Sequence, residues 1–122
     1  MKVLIIDDSN AVGMMVSQMF KDLGHEPYHA LNGQDAVDMI AQEDIFDCIL
    51  LDWNMPVMDG LEFLKYNQAN NLTKSPIVMM TTENKPEKIM TALEHGAVEY
   101  IMKPFEKDIL DSKINLIMQQ AA

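Results

Sequence analysis

The stretch CILLDWNMPVMDG, from Cys48 to Gly60, joins a short apolar run to an acidic, turn-rich loop. Four apolar or near-apolar residues lead directly into Asp52, and the loop that follows contains two methionines, a proline and a second aspartate, Asp59. A short apolar run bounded by turn residues is typical of a strand that is covered on both faces. The stretch therefore predicts a buried strand over Asp47–Asp52 that ends in a carboxylate.

Outward from this stretch, short apolar runs alternate with helical patterns along the whole chain. Strands are predicted over Lys2–Asp7, Glu26–Leu31, Asp47–Asp52, Pro76–Thr81 and Val98–Lys103. Strands that are joined by helices are parallel, and right-handed crossovers place the helices on both faces of the sheet. The pattern predicts an α/β fold, a five-stranded parallel sheet that is doubly wound as (βα)5. The units follow one another closely, so a single domain over residues 1–122 is expected.

Capping residues mark the starts of several predicted helices. Ser9 precedes the first helical pattern, where its hydroxyl is suited to cap the helix. Asp59 and Glu62 have the spacing of a capping box for the third helix. Asn84 and Glu87 have the same spacing and predict the start of the fourth helix.

The formal net charge of −10 makes the surface strongly acidic. Such a surface repels nucleic acid and anionic lipid, and no apolar run approaches the roughly 18 residues of a membrane helix. The start of the chain, a charged second residue followed by a strand-like run, does not resemble a signal peptide. We therefore expect a cytoplasmic protein with neither nucleic acid nor membrane among its partners. The single cysteine, Cys48, is expected to be a buried thiol.

Polar side chains follow the apolar part of four predicted strands. In chain order, the strand ends carry Asp7–Asp8, Asp52, Thr81–Thr82 and Lys103–Pro104. Doubly wound α/β folds bind ligands outside the carboxyl ends of their strands. We therefore expect three carboxylates, a hydroxyl group and an ammonium group to converge on one edge of the sheet.

Three carboxylates at one edge favour a bound cation. Two like charges about 4 Å apart repel by roughly 4 kcal/mol at an effective dielectric constant of about 20, which raises a pKa or recruits a cation. Hard oxygen ligands with room for water suit Mg²⁺. Beside such an ion, Asp52 is the natural nucleophile for a phosphoryl group. Lys103 would then pair with one phosphate oxygen, and Thr81 would donate a hydrogen bond to another.

Four motifs together resemble a known family. The segments IIDDS, LLDWNMPVMDG, VMMTTE and YIMKPF, in this order and at these spacings, resemble the receiver domain of two-component response regulators. The similarity is greatest to the single-domain, CheY-like receivers, and it extends over essentially the whole chain. The resemblance implies a flavodoxin-like sheet with the strand order 2-1-3-4-5.

The resemblance also implies a magnesium site. In such receivers the residues that match Asp8 and Asp52 bind Mg²⁺ through their side chains. The residue that matches Asn54 binds it through the backbone carbonyl, and the one that matches Asp7 holds it mainly through water. Asp52 is, by the same resemblance, the residue that accepts the phosphoryl group.

The remaining positions of the motif imply a conformational switch. By resemblance, Thr81 is the switch hydroxyl, Lys103 binds the phosphate and Tyr100 is the switch aromatic residue. The Lys103–Pro104 bond corresponds to a cis peptide bond in the family. A phosphoryl group on Asp52 would draw Thr81 towards it, and Tyr100 would move into the space that Thr81 leaves. The surface of the fourth helix, the fifth strand and the fifth helix would change with it.

These inferences predict a phosphorylation switch rather than a conventional enzyme. We expect a histidine kinase to donate the phosphoryl group, a phosphatase to be a further partner, and the protein to be a monomer. Mg-dependent self-phosphorylation and autodephosphorylation are the only expected chemistry. Within the family, a chemotaxis protein that acts on the flagellar motor switch is the first expectation. The alternative is a phosphate shuttle or sink in a phosphorelay, with a phosphotransfer protein as its partner.

Other functions fit the residues less well. Phosphatases of the haloacid dehalogenase type need a second aspartate two residues after the nucleophile, where this chain has Asn54. An EF-hand would need ligands and a glycine where Pro56 and Val57 stand, and a flavin phosphate would be repelled by the acidic first loop. A phosphate-independent interaction module would be expected to have lost Asp52, Thr81 or Lys103, and all three are present.

Some positions depart from the receiver pattern. Gly13 and Met14 replace basic residues that are frequent early in the first helix, and Met14 is expected to be exposed. Thr82 stands where small residues are common. Asn54 and Glu83, by contrast, match CheY-like proteins. They are of the residue types that line the water path to an acyl phosphate, which favours a short-lived signal. Trp53 is expected to be a partly exposed packing residue.

Overall fold

The structure, a computed structural model, describes residues 1–82 and 84–121, and for residue 121 the backbone alone. The prediction made for Glu83 therefore lies outside the described residues. No helix in the described part of the chain is both long enough and apolar enough to cross a membrane.

Within the described residues, five strands alternate with five helices. The strands are β1 Lys2–Ile6, β2 Glu26–Ala30, β3 Cys48–Leu51, β4 Ile77–Thr81 and β5 Glu99–Met102. The helices are α1 Asn10–Asp22, α2 Gly33–Gln42, α3 Gly60–Asn70, α4 Pro86–Glu94 and α5 Lys107–Ala121. All strand pairs are parallel, and the order across the sheet is β2-β1-β3-β4-β5. The predicted α/β class and strand order are confirmed.

Burial on both faces explains why the sequence of strand β3 has no polar break. All four of its residues are fully buried, with Ile49 and Leu51 packing into one hydrophobic layer and Cys48 and Leu50 into the other. Each fully buried Ile or Leu side chain stabilises the fold by about 1.5–3 kcal/mol. The same burial raises the pKa of the Cys48 thiol to about 12, so this residue is an unreactive part of the core.

The predicted strands are each too long by one or two residues at their ends. Asp7, Asp52 and Lys103 were placed within strands, whereas β1, β3 and β5 end at the residue before each of them. The backbone N–H of each of these residues still makes one hydrogen bond of the sheet type, and the loops that carry the polar side chains follow directly. Ile6 lies beside Leu51, so β1 and β3 end at a common level, whereas β4 continues for two residues beyond Met79, the neighbour of Leu51.

Two of the predicted helix starts are confirmed by their hydrogen bonds. Ser9 is the N-cap of α1, and its Oγ accepts the backbone N–H of Val12 at 3.2 Å. Asp59 is the N-cap of α3, where its Oδ1 accepts the N–H of Glu62 at 2.8 Å. The Glu62 carboxylate accepts the N–H of Asp59 at 3.2 Å in return, which completes the capping box.

The predicted start of α4 is wrong. Asn84 and Glu87 do not form the cap, because Lys85 is the N-cap and Pro86 is the first helical residue. Proline is favoured at this position, since its fixed φ suits the helix and its missing N–H would have no intrahelical partner. The backbone preference of Pro86 outweighs the side-chain spacing on which the prediction rested.

Candidate functional site

The loop between β1 and α1 presents two adjacent aspartates in different environments. Asp7 is only 1% exposed, whereas Asp8 is exposed. The Asp7 Oδ1 accepts the backbone N–H of Ser9 at 2.9 Å, and its Oδ2 lies 2.7 Å from Lys103 Nζ. The loop therefore holds one carboxylate rigidly inside the site and leaves the other facing solvent.

Asp52 continues the sheet for one residue beyond β3. Its backbone N–H donates to the carbonyl of Ile6 at 2.9 Å, and its Oδ1 accepts the N–H of Trp53 at 2.9 Å. The same oxygen lies 3.2 Å from Lys103 Nζ. Helix α3 begins against this segment: a Cβ on Gly60 would lie 2.4 Å from the Asp52 carbonyl oxygen, so only glycine fits there. The backbone of Asp52 is thus fixed from two sides.

The other two strands deliver a hydroxyl and an ammonium group. Thr81 is the last residue of β4 and is 3% exposed. The backbone N–H of Lys103 donates to the Thr81 carbonyl at 2.9 Å, and the Lys103–Pro104 peptide bond is cis, as the resemblance implied. The Lys103 side chain is 16% exposed and extends back over the strand ends to both buried aspartates.

The structure brings the three predicted carboxylates together. One oxygen from each of Asp7, Asp8 and Asp52 can be chosen so that all three atoms lie within 4.8 Å of one another. Burial raises the pKa of the Asp52 carboxyl above its usual value; the Lys103 ammonium opposes this rise, and the Asp7 carboxylate adds to it. One ammonium does not balance three carboxylates, so the cluster keeps a negative charge that attracts a cation.

The donor set fits Mg²⁺. All the clustered side-chain atoms are hard carboxylate oxygens, and the exposure of Asp8 leaves one side of the cluster open to water, which Mg²⁺ retains when it binds proteins. The ammonium of Lys103 already occupies a position between Asp7 and Asp52 that suits positive charge. Asn54 lies exposed in the loop two residues after Asp52, at the same edge of the sheet.

Tyr100 lies on β5, and the strand β4 separates β5 from β3, the strand that precedes Asp52. It is half-buried and lines a small apolar cavity beneath α4, together with Trp53, Thr81 and other residues. Lys113 on α5 makes two contacts with Tyr100. Its Nζ donates a hydrogen bond to the Tyr100 carbonyl at 2.9 Å and lies 5.3 Å from the centre of the tyrosine ring. Thr81 and the aromatic residue that was predicted to respond to it therefore line the same cavity.

Trp53 is more buried than predicted. Its side chain was expected to be partly exposed, but the residue is only 9% exposed and belongs to the hydrophobic core. Helix α4 covers it, and Lys88 Nζ lies 5.6 Å from the centre of the indole ring. The aromatic residue after Asp52 thus links the acidic site to α4. Met14, by contrast, is 73% exposed, as expected.

Two residues at the site were not predicted. His29 Nε2 lies 2.8 Å from the Asp7 carbonyl oxygen, and Lys113 contacts Tyr100 as described above. The sequence alone offered no signal for His29, which lies beside Ile5 in the parallel β1–β2 pair, close to the end of β1. That register depends on the strand order, so the contact becomes visible only in the folded chain.

A profile of the response regulator receiver domain matches residues 3–115 of this chain. The chain belongs to the response regulator receiver domain family. Among its relatives, a chemotaxis protein CheY homologue of Campylobacter jejuni is 34% identical over 97% of this chain and 92% of the relative. The chemotaxis protein CheY-3 of Vibrio cholerae is 37% identical over 98% of this chain and 93% of the relative.

Solved structures agree with this assignment. The chemotaxis response regulator CheY4 of Vibrio cholerae is 39% identical, with a TM-score of 0.86 over 95% of this chain and 97% of that structure. A Francisella response regulator receiver domain is 26% identical, with a TM-score of 0.88 over 99% of this chain. The protein is accordingly a phosphorylation-dependent response regulator, a signalling protein rather than a conventional enzyme.

Proposed function

We propose that this chain is the phosphorylation switch of a two-component system and that Asp52 accepts a phosphoryl group from a histidine kinase. The observation that carries the proposal is the convergence of Asp7, Asp8, Asp52 and Lys103 at one sheet edge. Each of these side chains has the chemistry that transfer to a carboxylate requires. We further propose that the receiver unit occupies all of residues 1–122, because α5 runs to Ala121.

The transfer makes one bond and breaks another. A carboxylate oxygen of Asp52 attacks phosphorus, the bond from phosphorus to the donor nitrogen breaks, and the imidazole leaves with its electron pair, which takes up a proton. Asp52 becomes an acyl phosphate. Bound Mg²⁺, held by Asp8 and Asp52 with the Asn54 carbonyl and, through water, by Asp7, would supply positive charge for the phosphoryl oxygens.

Lys103 and Thr81 respond to the new charge. The Lys103 ammonium lies between the carboxylates of Asp7 and Asp52 in this structure. After phosphorylation it would pair with a phosphoryl oxygen, because the phosphoryl group brings additional negative charge to Asp52. The hydroxyl of Thr81 would donate to a second phosphoryl oxygen. Its movement enlarges the cavity that Thr81 and Tyr100 both line, and the Tyr100 ring would turn inward.

The surface that changes with Tyr100 has the features of a docking face. Exposed apolar side chains lie on or beside α4, β5 and α5: Met90 is 56% exposed, Val98 52% and Ile109 50%. Singly exposed apolar residues are common, but a group of them next to a switch residue fits a protein partner. We propose that this face binds the target when Asp52 is phosphorylated.

The pathway that fits best is chemotaxis. Relatives from Campylobacter jejuni, Helicobacter pylori and Vibrio cholerae that match nearly the whole chain are chemotaxis proteins. By analogy, the target would be a flagellar motor switch protein, a phosphatase would end the signal, and the chain would act as a cytoplasmic monomer. A pull-down with the beryllofluoride-bound protein would test this: capture of a phosphotransfer protein instead of a motor protein would place the chain in a phosphorelay.

The direct test of the acceptor is Asp52→Asn. With a small radiolabelled phosphodonor and Mg²⁺, the natural protein should acquire a hydroxylamine-sensitive label, and the variant should acquire none. Asp59→Asn is the matched control, because Asp59 follows in the same loop but caps α3 instead of facing the cluster. Undiminished labelling of Asp52→Asn would refute the proposed acceptor and place the phosphorylation site on another residue. No labelling of the natural protein would favour a module that works without phosphate.

A further inference from the structure

The side chain of His29 reaches the acidic loop from the edge strand β2. Its Nε2 lies 2.8 Å from the carbonyl oxygen of Asp7. A carbonyl oxygen can only accept a hydrogen bond, so the proton of this contact belongs to Nε2. The imidazole is therefore oriented by a defined bond to the backbone of one of the three clustered aspartates.

Helix α1 leaves a space for this ring at Gly13. A Cβ on Gly13 would lie between 2.2 and 2.6 Å from three atoms of the imidazole. Carbon atoms do not approach so closely, so any larger residue at this position would push the ring away from Asp7. Glycine is unfavourable inside a helix by roughly 0.5–1 kcal/mol relative to alanine. The contact between His29 and the loop therefore explains why a glycine stands at position 13 in spite of this cost.

The Asp7 peptide is otherwise held from two directions. Its N–H donates to the Ala30 carbonyl at 3.0 Å, and its carboxylate is bonded to Ser9 and Lys103. The bond from His29 adds a contact to the carbonyl group that links Asp7 to Asp8. The orientation of that peptide sets the direction in which the exposed Asp8 carboxylate leaves the backbone.

We propose that His29 is a positioning residue for the metal site, and that Gly13 is glycine so that the imidazole can reach the Asp7 carbonyl. Groups that orient the ligands of a metal typically change its affinity by 10–100-fold when they are removed. The inference rests on the proposed function, since it assumes that Asp7, Asp8 and Asp52 hold Mg²⁺. It assigns the N–H of His29, rather than the bulk of its ring, as the group that matters.

Two substitutions separate the N–H from the ring. His29→Phe keeps an aromatic ring but cannot donate a hydrogen bond, whereas His29→Gln places an amide N–H near the position of Nε2. We expect calorimetric titration with Mg²⁺ to show affinity about tenfold or more weaker in His29→Phe, with most of the loss restored in His29→Gln. Equal affinity in the natural protein and His29→Phe, or equal weakness in both variants, would overturn the inference.

Gly13→Ala tests the same contact from the helix side. The added methyl group should displace the imidazole and weaken Mg²⁺ binding to a similar degree, and the double variant with His29→Phe should be little weaker than either single one. Full Mg²⁺ affinity in Gly13→Ala would contradict the inference, and this variant decides the matter if His29→Phe does not fold.

A measurement on the metal-free protein separates this inference from the proposed function. Nitrogen NMR should show the neutral imidazole of His29 protonated at Nε2, and amide exchange at Asp8 should be faster in His29→Phe than in His29→Gln. If the natural protein did not bind Mg²⁺, the proposed function would fail while these two signals would still support the contact. Protonation at Nδ1 alone, or unchanged exchange, would overturn it.

Discussion

At the scale of the residue, Lys103 stabilises a pair of carboxylates that the fold has buried. Its ammonium lies 2.7 Å from Asp7 and 3.2 Å from Asp52, and all three groups are largely shielded from water. Removing one partner of a buried ion pair leaves an uncompensated charge, which costs about 3–5 kcal/mol. The lysine that would bind phosphate therefore also holds the metal-free site together.

Lys103→Met should lower the stability of the metal-free protein by about 3 kcal/mol, at the lower end of that range because Asp7 keeps its bond from Ser9. Added Mg²⁺ should recover part of the loss, since it supplies the missing positive charge. Urea unfolding with and without Mg²⁺ measures both effects. Lys107→Met is the control: its ion pair with Asp22 spans 3.6 Å between half-exposed side chains, so it should lose less than about 1 kcal/mol. Equal losses in the two variants would contradict this account of Lys103.

Asp52 gives the site a dependence on pH. Because the pKa of Asp52 is higher in the folded protein than in the unfolded chain, protonation of Asp52 favours the folded state. This stabilisation is fully present below the pKa that Asp52 has in the unfolded chain. It is lost as the pH rises through the pKa that Asp52 has in the folded protein. Without metal, the cost of burying the charged form therefore makes the protein less stable at pH 7 than at acid pH. Asp52→Asn should be more stable than the natural protein at pH 7, and the difference should shrink as the pH falls.

Urea unfolding in the presence of a chelator, followed from neutral to acid pH, measures this difference. Asp38→Asn on the exposed side of α2 is the control and should show no such trend. A difference for Asp52→Asn that does not vary with pH, or that grows as the pH falls, would show that burial of the charge does not govern the site.

Val57 is an unfavourable residue for its backbone. It is 78% exposed in the loop after Asp52, and its φ of 69° lies in the left-handed region, which β-branched residues rarely adopt. Asn71 adopts a similar φ of 49° at the end of α3, where asparagine is tolerated. Val57→Asn should therefore raise the free energy of unfolding by about 1 kcal/mol.

Thermal and urea unfolding would measure that gain. Val98→Asn is the matched control, because Val98 is also exposed but has a negative φ, so it should show no comparable stabilisation. A Val57→Asn variant that is no more stable than the natural protein would mean that the loop relaxes around the valine without strain.

At the scale of the element, the ends of strands and helices decide where the functional groups lie. The buried strands were predictable because a continuous apolar run indicates a strand covered on both faces. Their last residues were not, because Asp52 and Lys103 each keep a backbone hydrogen bond of the sheet type one residue beyond the strand. The start of α4 was missed because Pro86 sets it through the backbone.

The capping box of α3 should stabilise the helix that fixes the backbone of Asp52. Asp59→Ala removes the acceptor for the N–H of Glu62 and should lower stability by about 1 kcal/mol. Asp38→Ala, in the middle of α2, serves as the control for loss of an exposed carboxylate and should stay within about 0.5 kcal/mol of the natural protein. Urea unfolding compares the two, and equal effects would mean that the cap adds nothing to α3.

At the scale of the whole molecule, the candidate site follows from the topology of the sheet. Parallel strands bring their carboxyl ends to one edge, so residues as far apart in sequence as Asp7, Asp52 and Lys103 could be grouped from the order of strands and helices along the chain. The residues that support them could not. His29, Gly13 and Lys113 act through strand register and helix placement, which leave no pattern along the chain.

The crystal structure of the protein with Mg²⁺ and beryllofluoride would test the central claim most directly. Beryllofluoride mimics a phosphoryl group, so its position would show which carboxylate is the phosphoacceptor. We predict beryllofluoride on Asp52, Mg²⁺ bound by Asp8, Asp52 and the Asn54 carbonyl, and Lys103 shifted from Asp7 towards a fluoride. Beryllofluoride on another side chain, or no metal ion among Asp7, Asp8 and Asp52 at saturating Mg²⁺, would contradict the account.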